Sequence, residues 1–308
     1  MKLQDHQRLR GLVAATHTPF HADGSLNLAI VEKQAAHLLA NGVTAVFIAG
    51  TTGESSSLSL DERRAIARRW AEVARATPMR VIVHVGSNSL TDARVLAADA
   101  EQLGAPAIAA LAPGYFKPRS LDALIACAAD IAAAAPATPF YFYDIPSMTG
   151  VSFPMADFLA QAAARIPTLA GLKFTNSDLM SFQLCLRADG GAWDVPFGCD
   201  EFLLAALSLG ATGAVGSTYN FAAPIYHRLM RVFTAGDFVT ARAEQFRSVQ
   251  LVQLLAGFGF MGAAKAVMGM LGVEVGPARL PHDNPTPEQS AKLRTALETM
   301  GFFDCIKN

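Results

Sequence analysis

Short apolar runs alternate with longer amphipathic segments along most of the chain. Eight runs have the length of strands and lie at 11–17, 43–49, 80–85, 107–112, 139–144, 169–174, 194–199 and 213–217. Segments with helical periodicity separate them, at 27–41, 60–76, 90–104, 120–135, 154–164, 177–188 and 200–209. Because strands separated by helices are typical of parallel β/α units, the pattern predicts an α/β fold, the (β/α)8 TIM barrel. A doubly wound open sheet is the alternative.

A faint internal repeat supports the barrel. The segments "LLANGVTAVFIAGTTGE", "AEQLGAPAIAALAPGY" and "ALSLGATGAVGSTYN" each run from a helix end through a glycine into an apolar strand and a loop. Ser59 and Glu62 form a predicted capping box where another helix begins. From about residue 221 strands stop and helical patterns continue. We therefore expect a barrel with the active site over 1–220, and a C-terminal helical appendage of the same domain over 221–308.

Composition favours a soluble enzyme that acts on a small molecule. Of the 308 residues 52% are apolar and 17% are charged, which excludes a disordered polar chain. The formal net charge is -1, and the sequence contains no basic or acidic block. The charge pattern therefore predicts no surface that binds nucleic acid or an anionic membrane. No secretory signal opens the sequence, and we expect a cytoplasmic location.

The sequence indicates neither a metal site nor a disulfide framework. The cysteines lie far apart, without a C-x-x-C pair, at positions 127, 185, 199 and 305. His17 and His21 are close in sequence, but Pro19 between them argues against a shared helical face. No other cluster has metal-ligand spacing, so we expect no bound metal.

Lys173 occupies an unusual place for a lysine, in the run "LAGLKFT" that is typical of a strand buried on both faces. Period two places Lys173 with Gly171 and Thr175 on one face, and Leu172 with Phe174 on the other. Removing an ammonium from water is costly, so burial favours the neutral amine, which attacks ketones. A lysine that reaches the surface or pairs with a carboxylate is the alternative, which position alone favours.

Two further residues bear on the role of Lys173. Tyr143 ends the preceding strand on the face of Tyr141, and a phenol beside a lysine at a strand end could relay protons. Packing is the more common role of a strand tyrosine. Lys265, in "GAAKAVMG", is a rival nucleophile, although a helical setting should let its stem reach the surface.

Three polar loops follow predicted strands, at 50–54, 198–201 and 216–220. The hydroxyls of Thr51 and Thr52, with nearby N–H groups, could bind a carboxylate, and an ordinary strand-to-helix turn is the alternative. Asp200, Glu201 and Ser217 offer partners for a polyhydroxylated ligand, although Asp200 could equally be a helix N-cap. All lie at strand C-termini, where barrel enzymes keep their active sites.

These motifs together resemble the pyruvate-dependent class I aldolases of the N-acetylneuraminate lyase and dihydrodipicolinate synthase superfamily. "GTTGE", "Y-x-I-P", "G-L-K-F-T", "G-x-D-E" and "GSTYN" occur in that order, within a match from "GLVAATHTPF" to "GPARLP". The resemblance implies that Lys173 forms a Schiff base and that Tyr143 relays protons. It also implies a homotetramer, in which Tyr115 is shared with a neighbouring subunit, and no metal or organic cofactor. The same resemblance implies that the substrate is bound by Thr51, Thr52, Thr175, Gly198, Asp200, Glu201 and Ser217.

Within the superfamily the lyase branch fits best, because "GCDE" and "GSTYN" resemble the segments that hold the sugar tail. Synthases typically carry an arginine two residues after the proline of "Y-N-V-P", where this chain has Met148. The expected reaction is reversible cleavage of N-acetylneuraminate to N-acetylmannosamine and pyruvate. Asp144 departs from relatives, which usually have asparagine or histidine there, and a carboxylate would make the Tyr143 phenol harder to ionise.

Two other interpretations stay open at this point. Another enzyme of the superfamily, either a 2-keto-3-deoxy sugar acid aldolase or dehydratase or a dihydrodipicolinate synthase, would use the same first-half motifs. A catalytically silent keto-acid-binding protein on the same barrel is an alternative of a different class. Lys173 and Tyr143 argue against it, because such a protein needs neither.

Overall fold

The computed structural model describes residues 3–307, in which seven strands alternate with helices. The strands are β1 (Gly11–Ala15), β2 (Ala45–Ile48), β3 (Arg80–His84), β4 (Ala107–Leu111), β5 (Phe140–Asp144), β6 (Leu169–Phe174) and β7 (Gly213–Gly216). The helices are α1 (Ile30–Ala40), α2 (Leu60–Ala74), α3 (Leu90–Gln102), α4 (Leu121–Ala132), α5 (Pro146–Thr149), α6 (Met155–Ala162), α7 (Leu179–Arg187), α8 (Leu203–Leu209), α9 (Tyr219–Thr234), α10 (Phe238–Gly257), α11 (Phe260–Met270), α12 (Pro287–Thr299) and α13 (Phe302–Cys305). The predicted α/β class is confirmed.

Local sequence signals explain where several of these helices begin and end. The Glu62 N–H donates to the Ser59 hydroxyl and the Ser59 N–H to the Glu62 carboxylate, which confirms the predicted capping box of α2. Gly42, Gly104 and Gly210 follow α1, α3 and α8, and all three have a positive φ. The predicted glycine of each repeat therefore takes the left-handed conformation that ends a helix.

The chain divides into two compact units. The first unit comprises the N-terminal residues up to Gly11, together with Arg80–Cys199 and Ala205–Val215. The second comprises Leu12–Met79, Asp200–Leu204 and the chain from Gly216 onward. The sequence-based boundary at residue 220 stays a prediction.

The first unit contains the neighbouring parallel strands β6-β5-β4-β3, in that order, and most of β7. The predicted strand at 194–199 is wrong as a regular strand, since only isolated parallel bridges at Asp194 and Phe197 occur there. Pro196 has no N–H to donate, which interrupts the ladder. The segment still accepts from Leu172 N at Asp194 O (3.0 Å) and from Val215 N at Phe197 O (2.8 Å). It therefore replaces a strand in the alternation.

The second unit contains the parallel pair β1–β2 and the helices α9 to α13. Pro224 lies inside α9, and Ala222 just before it departs from helical geometry, because proline cannot donate to the helix ladder. Within residues 3–307 no single helix is long and apolar enough to cross a membrane. Only α10 and α11 taken together pass that test, and they are bent by 111°.

Candidate active site

Lys173 and Tyr143 lie side by side on neighbouring strands of the first unit. The register of β5 and β6 pairs the two residues directly, near the carboxyl ends of both strands. Their side chains are only 4% and 3% exposed. The Lys173 Nζ lies 4.0 Å from the centroid of the Tyr143 ring. The strand therefore presents an amine to a phenol in a setting from which most water is excluded.

His84 is a neighbour of Tyr143 that sequence reasoning missed. It ends β3, is 1% exposed, and its ring meets the Tyr143 ring edge-on with centroids 5.8 Å apart. A histidine directly after the apolar run "VIV", near the end of the predicted strand, was the available signal. The Tyr143 ring is therefore contacted by His84 of β3 as well as by Lys173 of β6.

Thr175 and Gly198 meet just beyond the end of β6. Thr175 N donates to Asp144 O (2.8 Å), and Gly198 N donates to Phe174 O (2.7 Å). A Cβ at residue 198 would overlap the Thr175 hydroxyl, so only glycine fits there. The Thr175 Oγ is buried and has no hydrogen-bond partner within residues 3–307. This hydroxyl can therefore bind a ligand.

Tyr115 lies in a different environment from the buried pair. It is 78% exposed, and its neighbour Phe116 is 86% exposed, with the two rings edge-on at 5.0 Å. The side-chain oxygen of Asn88 accepts from the N–H groups of Gly114 (2.9 Å) and Tyr115 (3.1 Å). The loop is thus held in a defined conformation while it presents two aromatic rings to solvent.

Asp200 heads a buried polar network in the second unit. Its carboxylate accepts from the Thr218 N–H (2.8 Å) and hydroxyl (2.6 Å). The Thr218 hydroxyl also contacts the Tyr226 hydroxyl (2.7 Å), which in turn contacts Ser248 (2.7 Å). Burial and the Asp200 charge hold the pKa of Tyr226 well above its usual range. Asp200 therefore has a structural role, whatever else it binds.

Glu201 and Ser217 flank that network and are more accessible. Glu201 lies in the 3-10 turn Asp200–Phe202, and Ser217 directly follows β7. Both are half-buried. Side chains of this kind can exchange hydrogen bonds with a hydroxylated ligand, whereas the Asp200 carboxylate is already engaged by Thr218.

Thr51 and Thr52 lie in a loop with unusual backbone conformations. Both are half-buried, and they stand between Ala49 (φ 51°) and Glu54 (φ 56°), which adopt the left-handed region. Two such conformations in residues other than glycine store strain, so the surrounding structure must impose them. The alternative given for this segment, an ordinary strand-to-helix turn, does not require such conformations.

Lys265 supplies the contact that holds the loop at Glu54. The Lys265 Nζ lies 2.6 Å from the Glu54 carboxylate and donates to Thr18 O and Pro277 O, both at 2.9 Å. Lys265 is 1% exposed, so the expectation that its stem would reach the surface was wrong. Burial lowers its pKa to about 8, against the effect of Glu54. The ammonium is engaged by one ion pair and two hydrogen bonds, which leaves it a structural role.

Glu54→Gln is expected to destabilise the fold. It leaves the Lys265 ammonium buried without its counter-charge, at a cost of about 3–5 kcal/mol. Equilibrium urea unfolding measures the loss, and Glu288→Gln is the matched control. Its ion pair with Lys292 is 2.8 Å long but highly exposed, so that variant should lose about 0.5 kcal/mol or less. Equal losses in the two variants would contradict the role given to the buried pair.

Within residues 3–307 no group of three histidine, cysteine or carboxylate side chains could hold a metal ion. The His17 ring is fully buried, and burial, with the nearby Lys265 charge, lowers its pKa to about 3.

Comparison with known proteins identifies the family. The Dihydrodipicolinate synthetase family matches residues 8–300, and the chain belongs to that family. Among curated relatives, N-acetylneuraminate lyase of Mus musculus is 40% identical over 301 residues, covering 96% of this chain and 94% of its own.

Solved structures agree with that assignment. The N-acetylneuraminate lyase of Proteus mirabilis is 40% identical with a TM-score of 0.93, covering 96% of this chain and 99% of its own. The native N-acetylneuraminate lyase (sialic acid aldolase) of Aliivibrio salmonicida is 41% identical with a TM-score of 0.93, at 96% and 98% coverage. The predicted superfamily is thus confirmed.

Proposed function

We propose that the protein is a Schiff-base aldolase that reversibly cleaves N-acetylneuraminate to N-acetylmannosamine and pyruvate. The observation that carries the proposal is the buried Lys173 amine against the Tyr143 phenol, at the ends of two adjacent parallel strands. The lyases described above supply the substrate class, since they are similar to this chain over nearly its whole length.

The reaction begins when the neutral Lys173 amine attacks the C2 ketone of the open-chain substrate. Loss of water gives an imine, and its protonated form draws electrons from the C3–C4 bond. The Tyr143 phenol gives its proton to the imine nitrogen, and the resulting phenolate takes the proton of the C4 hydroxyl, so that the C3–C4 bond breaks and N-acetylmannosamine leaves as the aldehyde. Tyr143 then gives this proton to C3 of the enamine. Water hydrolyses the protonated imine to pyruvate and free Lys173, and the proton released in that step returns to Tyr143. The imine is the electron sink, so these residues need no metal for this chemistry.

The two ends of the substrate require different partners. Thr51 and Thr52 bind the carboxylate through hydroxyl and backbone donors, in the loop that the Lys265–Glu54 pair holds. Glu201 and Ser217 bind hydroxyls of the sugar tail, and Gly198 and Thr175 bind near the reacting carbons. Asp200 supports the tail residues through its bonds to Thr218.

A dihydrodipicolinate synthase is the second candidate, because the family includes that activity by name. Such an enzyme needs a cation for the second carboxylate of its product. Met148 lies at the position where such synthases typically carry arginine. Its side chain is 63% exposed, and its thioether cannot bind a carboxylate. We therefore favour the lyase.

We also propose that the chain forms a (β/α)8 barrel and that the helices after about residue 220 form a C-terminal appendage. We propose further that the protein is a homotetramer. The alternation of strands and helices and the similarity to solved lyases support the barrel. The exposed pair Tyr115 and Phe116 supports the oligomer, because two solvent-facing aromatic rings on an ordered loop are suited to a neighbouring subunit.

The function is tested by measuring pyruvate release from a panel of 2-keto acids. N-acetylneuraminate should be cleaved, while pyruvate with aspartate semialdehyde should give little condensation. If a 2-keto-3-deoxy sugar acid is turned over and N-acetylneuraminate is not, the aldolase assignment stands and the assignment of residues that bind the sugar tail is wrong. Release of pyruvate from none of them would support the silent binding protein.

Glu201→Ala is expected to lower kcat/KM for N-acetylneuraminate by about 10- to 150-fold, since a hydrogen bond to a charged group contributes about 1.5–3 kcal/mol. Borohydride trapping of pyruvate should be unchanged, because pyruvate has no sugar tail. Asp200→Ala provides a comparison. Unlike Glu201→Ala, it should lower the melting temperature in addition to kcat/KM, because it leaves the buried Thr218 hydroxyl and N–H without their acceptor. Wild-type cleavage rates in Glu201→Ala would remove Glu201 from the site.

A further inference from the structure

Asp144 is a buried carboxyl group next to Tyr143 that the reaction above does not use. It ends β5, pairs with Phe174 of β6 and is 3% exposed. Alternation along β5 turns its side chain to the face opposite Tyr143. The Asp144 Oδ2 is buried and has no hydrogen-bond partner within residues 3–307. A carboxylate in that condition would be costly to keep ionised.

The face of the sheet that carries Asp144 also carries aromatic side chains. On its face of the sheet, Phe174 packs against Phe182 of α7 at 5.3 Å, and Phe142 packs against Phe158 of α6 at 4.6 Å between ring centroids. This layer supplies apolar contacts and little solvation. An ionised group at this position would therefore disturb the packing between the strands and α6 and α7.

Few polar groups face Asp144 from the elements packed around it. Asn176, after β6, forms a side-chain hydrogen bond with Asp144. The Cys185 thiol of α7 interacts with the charge of Asp144 and with that of Asp178, at the N-terminus of α7. The neighbouring strand β4 ends in an apolar residue, Leu111, and α6 packs against β5 through Phe158, which is also apolar. Lys173 is paired with Tyr143, so it projects from the other face.

Burial and these neighbouring groups shift the pKa values of Asp144 and Cys185. Burial raises the pKa of Asp144 to about 7, although the Asn176 hydrogen bond lowers it. Burial raises the pKa of Cys185 to about 12, with further contributions from the charges of Asp144 and Asp178. The thiol that interacts with Asp144 is thus neutral, and it does not stabilise an Asp144 carboxylate.

The backbone of Asp144 connects this layer to the site. Its N-terminal neighbour is Tyr143, and its carbonyl oxygen accepts from Thr175 N at 2.8 Å. Thr175 in turn contacts the segment at Gly198. A displacement of Asp144 would therefore reach both the phenol and the Thr175 hydroxyl.

We propose that Asp144 is a positioning residue that holds the end of β5 in place as a neutral carboxylic acid, and that its ionisation displaces Tyr143 and Thr175. The inference rests on the proposed function, because Tyr143 is the group whose position affects turnover. Its consequence is a loss of activity at alkaline pH that originates outside the reacting groups.

The direction of the pH effect follows from the raised pKa. In the folded protein the neutral form predominates below about pH 7. The stability that this form contributes is fully present below about pH 4, the ordinary pKa of an unfolded aspartate. That stability is lost as the pH rises through about 7, the folded value. At pH 8.5 the ionised form should outnumber the neutral one by about 30 to 1.

Asp144→Asn tests the proposal, because an amide keeps the shape and cannot ionise. The ratio of kcat/KM in Asp144→Asn to that in wild type should rise by at least about fivefold from pH 5.5 to 8.5, with its midpoint near pH 7. Asp178→Asn is the matched control, since Asp178 is exposed and asparagine also caps helices. Its ratio to wild type should stay flat. A flat ratio for Asp144→Asn, or an equal rise in Asp178→Asn, would overturn the proposal.

Infrared titration separates this proposal from the proposed function, because it needs no substrate. Wild type should show the carbonyl band of a protonated carboxyl group that disappears around pH 7 and is absent from Asp144→Asn. The melting temperature of Asp144→Asn should also gain on that of wild type as the pH rises from 5 to 8. Absence of the band at every pH would show that Asp144 is ionised throughout, and the proposal would be wrong even if the enzyme cleaves N-acetylneuraminate.

Discussion

Lys173→Met is expected to abolish cleavage of N-acetylneuraminate and borohydride trapping of pyruvate together. The reaction passes through a covalent bond to the Lys173 Nζ, and methionine keeps the length of the side chain without a nucleophile. Loss of the nucleophile from a covalent mechanism should lower kcat by about 10⁴- to 10⁶-fold. Pyruvate release and the mass of the intact protein after borohydride reduction measure the two effects.

Two controls make this result specific to Lys173. Lys33→Met replaces an exposed lysine of α1 and should keep wild-type activity and labelling. In wild type, the reduced pyruvyl adduct should be found on the peptide that contains Lys173 and not on the one that contains Lys265. An adduct on Lys265 would contradict the assignment, because its Nζ is engaged by Glu54 and two carbonyl oxygens.

Tyr143→Phe is expected to lower kcat by about 10²- to 10⁴-fold, the usual contribution of a positioned acid–base group. The phenylalanine ring can still pack against Lys173 and His84, whereas the hydroxyl that moves the C4 proton is lost. Borohydride trapping of pyruvate should persist, because the amine that forms the imine is intact. Single-turnover kinetics with N-acetylneuraminate should place the defect in the cleavage step.

Tyr141→Phe is the matched control for Tyr143→Phe, since both tyrosines lie on the same face of β5. The Tyr141 hydroxyl donates to the Asp194 carboxylate at 2.6 Å. Burial and the Asp194 charge hold the pKa of Tyr141 well above its usual range, so it stays protonated. Its loss should cost about 1–3 kcal/mol of stability and little kcat. Equal losses of kcat in both variants would remove the special role of Tyr143.

The contrast between the two lysines shows the limit of local sequence reasoning. Lys173 lies in a short strand with apolar neighbours, and period two together with strand length indicated its burial, although position alone favoured a lysine that reaches the surface or pairs with a carboxylate. Lys265 lies in a helix, where its environment depends on what packs against that helix. Its partner Glu54 is distant in sequence, and both side chains are almost fully buried. A charged residue is buried when its counter-charge is placed by the fold, and that placement is a long-range property.

Asp200 shows the same limit for a polar residue in a recognised motif. The "GCDE" segment predicted an acceptor at a strand end, and the residue is there. Its carboxylate nevertheless accepts from Thr218, which follows the next strand. Glu201 beside it is half-buried and is the better probe of the ligand.

By itself the sequence determined the alternation of strands and helices, the glycines that end α1, α3 and α8, the capping box of α2, and the pairing of an amine with a phenol on adjacent strands. These features depend on backbone sterics, on periods of two and 3.6 residues, and on hydrogen bonds between near neighbours. The tertiary structure alone decided that Lys265 pairs with Glu54, that His84 meets Tyr143, and that the buried Asp144 Oδ2 finds no hydrogen-bond partner among the described residues 3–307. Those outcomes depend on which side chains the folded chain brings within a few ångströms of each other, and neither periodicity nor composition contains that information.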